Sequence, residues 1–134
     1  MRVVIDASAG LYVAASNRGF AGLADHELVA PALFWSETTS SFREAVDRGV
    51  LDAKDATRAM ARLAAIGIER VAEPDLYTRA YEVADRLGWA KTYDAEYVAL
   101  AALRDLPLLT RDARLARGAS RLVRVVSPFD LEPS

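Results

Sequence analysis

A chain of 134 residues, 52% hydrophobic and 27% charged, has the composition of one folded domain rather than a disordered segment. It has no cysteine and a single histidine, His26, which excludes disulfides, thiolate metal sites, cysteine nucleophiles and any site needing two imidazoles. The net charge of −2 argues against a large nucleic-acid surface, yet Arg111 to Arg124 holds five arginines and one acid, about +4 against about −6 elsewhere.

The N-terminus enters MRVVID with no apolar leader, and no run approaches the roughly 18 apolar residues of a membrane span, so a cytoplasmic protein is expected. Val3-Val4-Ile5 is a continuous β-branched run that stops at Asp6, the pattern of a strand buried on both faces of a parallel sheet. Ala7 to Ser16 reads as helix and Leu28 to Ala30 as a second strand. Pro31 suits a first helical turn, where its missing N–H costs nothing, and that helix runs to Arg48 with Gly49 as its stop.

Asp52 to Ala65 places Ala56, Ala59, Met60, Leu63 and Ala64 at helical spacing. Ile68 to Val71 is a weak strand. Pro74 and Asp75 open a helix that carries Leu76, Ala80, Val83, Ala84 and Leu87 to Gly88. Thr92 starts the next, with Tyr93, Tyr97, Leu100 and Ala101 expected inward. Leu106 to Thr110 and Leu122 to Val126 are the last strands. The alternation predicts one α/β domain over residues 1–134, three layers α/β/α around a parallel sheet of four to five strands.

Asp6 and Asp112 each sit at or just past the carboxyl end of an apolar run, the edge at which parallel sheets bind ligands. The two converge if their strands are neighbours; taken singly, each is equally a helix cap. Asp94 stands in the first turn of its helix, where the macrodipole alone favours an acid, and Glu96 shares that explanation. Glu37 lies amid Phe34, Trp35, Thr38 and Thr39, whereas Glu44 reads as solvated helix. Converging carboxylates about 4 Å apart repel by about 4 kcal/mol at an effective dielectric of 20, so a cation belongs among them. Oxygen ligands without imidazole or thiolate select Mg²⁺ or Mn²⁺, which activates water and steadies charge on a phosphodiester.

These residues resemble the PIN-domain ribonucleases, specifically the VapC-type toxins of prokaryotic toxin–antitoxin pairs. VVIDASAG is similar to that family's first strand and acid, APALFWSE to its proline-led segment ending in the second acid, and KTYDAEYVALAALRDLPLLTRDARL to its third and fourth. The resemblance covers essentially the whole chain. It implies metal ligands and catalytic acids at Asp6, Glu37, Asp94 and Asp112, with Ser8 and Thr110 orienting them. It further implies Mg²⁺- or Mn²⁺-dependent RNA cleavage leaving a 3′-hydroxyl and a 5′-phosphate, a homodimer, and inhibition by a cognate antitoxin. Some members carry a further acid where this chain has Arg114, so one well-held ion is expected.

Arg111, Arg114, Arg117 and Arg121 are candidates for contacts to RNA phosphates, with a solvated helix and turn as the alternative. Other α/β readings fail on particular residues. A haloacid-dehalogenase-like site needs an acid at position 8, which is serine, and a receiver domain needs a lysine after a late strand, where neither Lys54 nor Lys91 lies. The remaining rival is a non-catalytic PIN-like module that only binds a protein partner.

Overall fold

The computed structural model describes residues 1–133. In chain order the elements are β1 (Arg2–Ile5), α1 (Ala7–Ala15), α2 (Asn17–Ala21), β2 (Glu27–Ala30), α3 (Leu33–Asp47) and α4 (Ala53–Ala65). They continue with β3 (Glu69–Arg70), α5 (Leu76–Leu87), α6 (Tyr93–Arg104), β4 (Leu108–Leu109), α7 (Ala113–Ala119) and β5 (Val125–Val126), closing on a 3₁₀ turn at Pro128–Leu131. The five strands form one all-parallel sheet in the order β3-β2-β1-β4-β5, flanked by helices, as the alternating pattern predicts. No helix among the described residues is long and apolar enough to cross a membrane.

The register decides where the acids go. β1 pairs with β4 through Val4–Leu108 and Ile5–Leu109, so the chain leaves both strands at the same edge and side by side. The strand order also reverses there, with β2 on one side of β1 and β4 on the other. That is the position at which an open parallel sheet leaves a crevice for ligands. Val3, Val4, Ile5, Leu108 and Leu109 are wholly buried, which accounts for strand sequences without polar alternation.

Helix α6 is buried almost continuously from Ala95 to Ala101, unlike an amphipathic surface helix. Its small residues let it lie close to β1 and pack against α5. Gly10 brings α1 against α3: a Cβ there would stand 2.9 Å from two ring atoms of Phe34. This close approach sets the distance between the N-terminus of α1 and the middle of α3. Helix α5 stops at Gly88, whose φ of 72° is a left-handed conformation that glycine adopts without strain.

Three expectations change. Met60 and Ala64 are exposed, because α4 packs through the narrower stripe Ala56, Ala59 and Leu63. Tyr93 is exposed, because it is the first residue of α6 and the buried face of that helix begins only at Ala95. The strands at 68–71, 106–110 and 122–126 shrink to two residues each, and α2, α7 and the final 3₁₀ turn are additional elements.

Candidate active site

Asp6 follows β1 directly and caps α1, accepting the Ala9 N–H at 2.8 Å on Oδ1. The same oxygen accepts the Ser8 hydroxyl at 2.8 Å, while Oδ2 accepts the hydroxyl of Thr110, the residue after β4. The cap and the cleft acid are thus one residue, and the two readings of Asp6 from sequence describe the same side chain. Burial pushes its carboxyl up to about 6 despite the bonds from Thr110, Ala9 and Ser8, which pull it down; the charge of Asp112 raises it further.

Asp112 repeats the arrangement on the neighbouring strand. It caps α7 by accepting the N–H groups of Arg114 and Leu115 at 2.9 and 3.1 Å, both on Oδ1. Its own N–H donates to Thr110 Oγ1 at 3.0 Å, and the Arg111 N–H donates to Ser8 Oγ at 3.0 Å. Ser8 and Thr110, 3.2 Å apart, therefore tie the loops after β1 and β4 together through hydroxyls that both donate and accept. Every buried side-chain polar atom among the described residues has a partner.

Glu37 enters from α3, half-buried, with Oε1 accepting the hydroxyl of the buried Tyr97 at 2.6 Å. Desolvation raises its pKa, the Tyr97 bond lowers it, and the charge of Asp94 raises it. Asp94 lies in the first turn of α6; desolvation and then the charge of Asp112 raise its pKa, and Arg114 lowers it. Burial and Glu37 likewise raise the pKa of Glu96. All four predicted acids line one cleft of about 230 Å³, together with Ser8, Ser40, Ser41, Glu44 and Tyr97. A second compartment of about 400 Å³ shares Glu37 and Asp94 and adds Trp89, Lys91, Tyr93 and Arg114.

The donor set suits a hard divalent cation, since it offers carboxylate oxygens and little cationic charge to offset them. Asp112 and Glu37 each keep one oxygen free of protein donors among the described residues, and Asp94 keeps both. As the side chains stand, no three acids among the described residues are gathered tightly enough to hold an ion. Asp6 is the most firmly held of the four acids, with three donors on its carboxylate, whereas Asp94 accepts none among the described residues.

Sequence reasoning missed Glu44, Ser40, Ser41 and Tyr97 as cleft residues. Positions 37, 40, 41 and 44 fall at helical i, i+3, i+4, i+7 spacing, so the periodicity of α3 was the signal that could have found three of them. Of the four arginines, Arg114 borders the cleft, Arg121 lines neither compartment, and the Arg111 guanidinium sits over Tyr12 and Phe129 at 4.6 and 5.7 Å from their ring centroids. Arg117 is exposed and lines neither compartment.

A parallel α/β sheet with acids from β1, α3, α6 and the β4–α7 turn around its switch point defines a PIN-like nuclease architecture. The PIN domain family matches residues 3–120. VapC ribonuclease Mb0985 of Mycobacterium bovis is 36% identical over 116 residues, covering 85% of this chain and 88% of that protein. Among solved structures, PAE2754 from Pyrobaculum aerophilum superposes with a TM-score of 0.75 at 23% identity, covering 98% of this chain and 95% of that one. VapBC2 from Rickettsia felis, bound to a DNA fragment from its promoter, gives a TM-score of 0.69 at 9% identity, covering 95% of this chain and 98% of that chain. The chain belongs to the PIN-domain family, in the branch of the VapC ribonucleases.

Proposed function

We propose that this chain is a metal-dependent endoribonuclease, the toxin of a type II toxin–antitoxin pair, acting on RNA in the cytoplasm. The observation that carries the reading is the single cleft that collects Asp6, Glu37, Asp94 and Asp112 from four separate parts of the chain. Capping alone explains Asp6 and Asp112, but it does not explain why Glu37 and Asp94 face them.

Asp6, Glu37, Asp94 and Asp112 would hold Mg²⁺ or Mn²⁺, with Arg114 in place of any further acid. When bound, the ion supplies a water of lowered pKa and stabilises charge on the phosphodiester. The chain's own residues do the positioning. Ser8, Ala9 and Thr110 fix both oxygens of Asp6, and Tyr97 orients Glu37. Arg114 borders the cleft with Asp94, which supports a role for its guanidinium in meeting a non-bridging phosphate oxygen.

The 36% identity to VapC ribonucleases supports RNA as substrate and a cognate antitoxin as inhibitor, and the homodimer is proposed on the family resemblance alone. The test is cleavage of total cellular RNA by antitoxin-free protein with Mg²⁺ or Mn²⁺, read by mapping new 5′ ends. EDTA, Asp6→Asn and Asp94→Asn are each expected to abolish the cuts while the circular dichroism spectrum is kept. Protein that cuts no RNA with either ion refutes the function, and cutting that persists in EDTA removes the metal from it.

A further inference from the structure

The arginines after Asp112 do not end at the cleft. Arg114, Arg117 and Arg121 follow one another at i, i+3 and i+7, so they lie along one side of α7 and the turn that extends it, over about 10 Å of rise. Arg114 borders the acid cleft at one end. At the other end, Arg121 and Arg124 line a separate groove of about 690 Å³ at the amino edge of the sheet, with Ser120, Leu122, Pro107 and Asp105. A neighbouring hollow that shares Leu122 and Ala102 is lined by Arg86 of α5 and by the ion pair of Arg79 and Glu82.

These guanidiniums, like those of Arg43 and Arg48 and the ammonium groups of Lys54 and Lys91, form no ion pair among the described residues, and they are set apart by their succession along α7. Arg2, Arg18 and Arg104 have carboxylate partners, and Arg70 and Arg111 lie over aromatic rings. Among the described residues, Arg86, Arg114, Arg117, Arg121 and Arg124 have no ion-pair partner within 4.0 Å. Among the described residues, Asp105 is the only acid lining the groove of Arg121 and Arg124. Like charges at this spacing repel weakly on an exposed surface, a polyanion lying along the row relieves that repulsion, and the planar fork of arginine matches phosphate oxygens.

We infer that the groove of Arg121 and Arg124 is a second binding site for single-stranded RNA, joined to the cleft by the arginine track of α7. It holds the phosphates of a substrate long enough to run from the cleft to the far edge of the sheet. The inference rests on the nuclease reading for the identity of the polyanion. It extends that reading by making substrate length a determinant of affinity. A short RNA occupies only the cleft and Arg114, whereas a long one also engages Arg121 and Arg124.

The test is fluorescence anisotropy of labelled single-stranded RNA of about 6 and about 30 nucleotides, titrated across KCl at fixed Mg²⁺. The background is Asp6→Asn, so that nothing is cut. Two phosphate contacts contribute about 1.4 to the log–log salt slope, or about twentyfold in affinity near 0.1 M salt. Adding Arg121→Ala and Arg124→Ala is expected to weaken the long RNA by about that factor and flatten the slope, leaving the short RNA unchanged. The charge-matched pair Lys54→Ala and Arg58→Ala on α4 should leave both lengths unchanged.

Equal affinity and slope for the long RNA after loss of Arg121 and Arg124 overturns the inference. So does an equal loss for the short RNA, or an equal loss from the α4 control. If poly-glutamate competes as well as RNA, the groove takes acidic protein segments and the inference fails. Cleavage of total cellular RNA with Mg²⁺ or Mn²⁺ by the chain with Asp6 intact separates the two claims. Failure there removes the nuclease, whereas cleavage with no length effect removes only the second site.

Discussion

Asp6 makes the metal-free protein more stable in mild acid than at neutral pH, against the usual behaviour of paired carboxylates. Its carboxyl stands at about 6 in the fold, against 3.8 for the ordinary group, and burial is the main cause. Between those values the folded state binds more protons than the unfolded one, so stability falls as pH rises. The contribution is fully present below about 3.8, declines as pH climbs through 6, and is gone above it. The whole shift corresponds to about 3 kcal/mol, of which about 1 kcal/mol falls between pH 5 and 7.5. Glu37, Asp94 and Glu96 are raised as well and add in the same direction.

The measurement is urea unfolding in EDTA at pH 5 and 7.5. At an m-value of about 2 kcal/mol/M, the Asp6 share alone moves the midpoint upward in acid by about half a molar. Asp6→Asn cannot ionise but keeps an oxygen for Ala9 and Ser8, so it should be at least as stable as the parent at pH 7.5 and show a smaller pH effect. An unchanged pH effect in Asp6→Asn, or a midpoint lower at pH 5 than at 7.5 in the parent, refutes the assignment of this strain to Asp6. Adding Mg²⁺ at pH 7.5 should recover the lost stability in the parent and not in the variant, since a bound ion stabilises the ionised form.

Three further outcomes follow from the geometry. Thr110→Val takes away the hydroxyl shared by Asp6, Ser8 and the Asp112 N–H, so we expect a loss of about 1–3 kcal/mol in urea unfolding and weaker Mg²⁺ binding by calorimetry. Tyr97→Phe deprives Glu37 of the donor that favours its charged form, so the acid limb of the cleavage pH profile should move to higher pH at a stability cost of about 1 kcal/mol. Gly10→Ala drives a methyl into the buried Phe34 ring, separating α1 from α3, and should cost about 1–3 kcal/mol and lower kcat more than its stability loss explains at 25 °C.

Local chemistry makes most of the elements legible in the amino-acid sequence itself. Buried parallel strands are continuous apolar runs, α3 and α5 stop at Gly49 and Gly88, and α1, α4 and α7 open on the capping acids Asp6, Asp52 and Asp112, so these elements can be placed from their own residues. The same rules mark Asp6 and Asp112 as strand-end acids. They give no reason to join Glu37 and Asp94 to them, and it is the resemblance to the VapC-type family that does so. Tyr93 misleads because period alone cannot say where the first turn of a helix leaves the core.

Only the tertiary structure decided that β1 lies beside β4, because strand adjacency depends on crossovers and register that no local pattern encodes. From that pairing come the Ser8–Thr110 link, 102 positions apart in sequence, and the clamp of Thr110 on Asp6. It likewise decided that Tyr97, an evident core residue by period, donates its hydroxyl to Glu37. The sequence by itself determined which residues could carry the chemistry. Packing decided which of them face one another, since desolvation and charge–charge repulsion act through space and not along the chain.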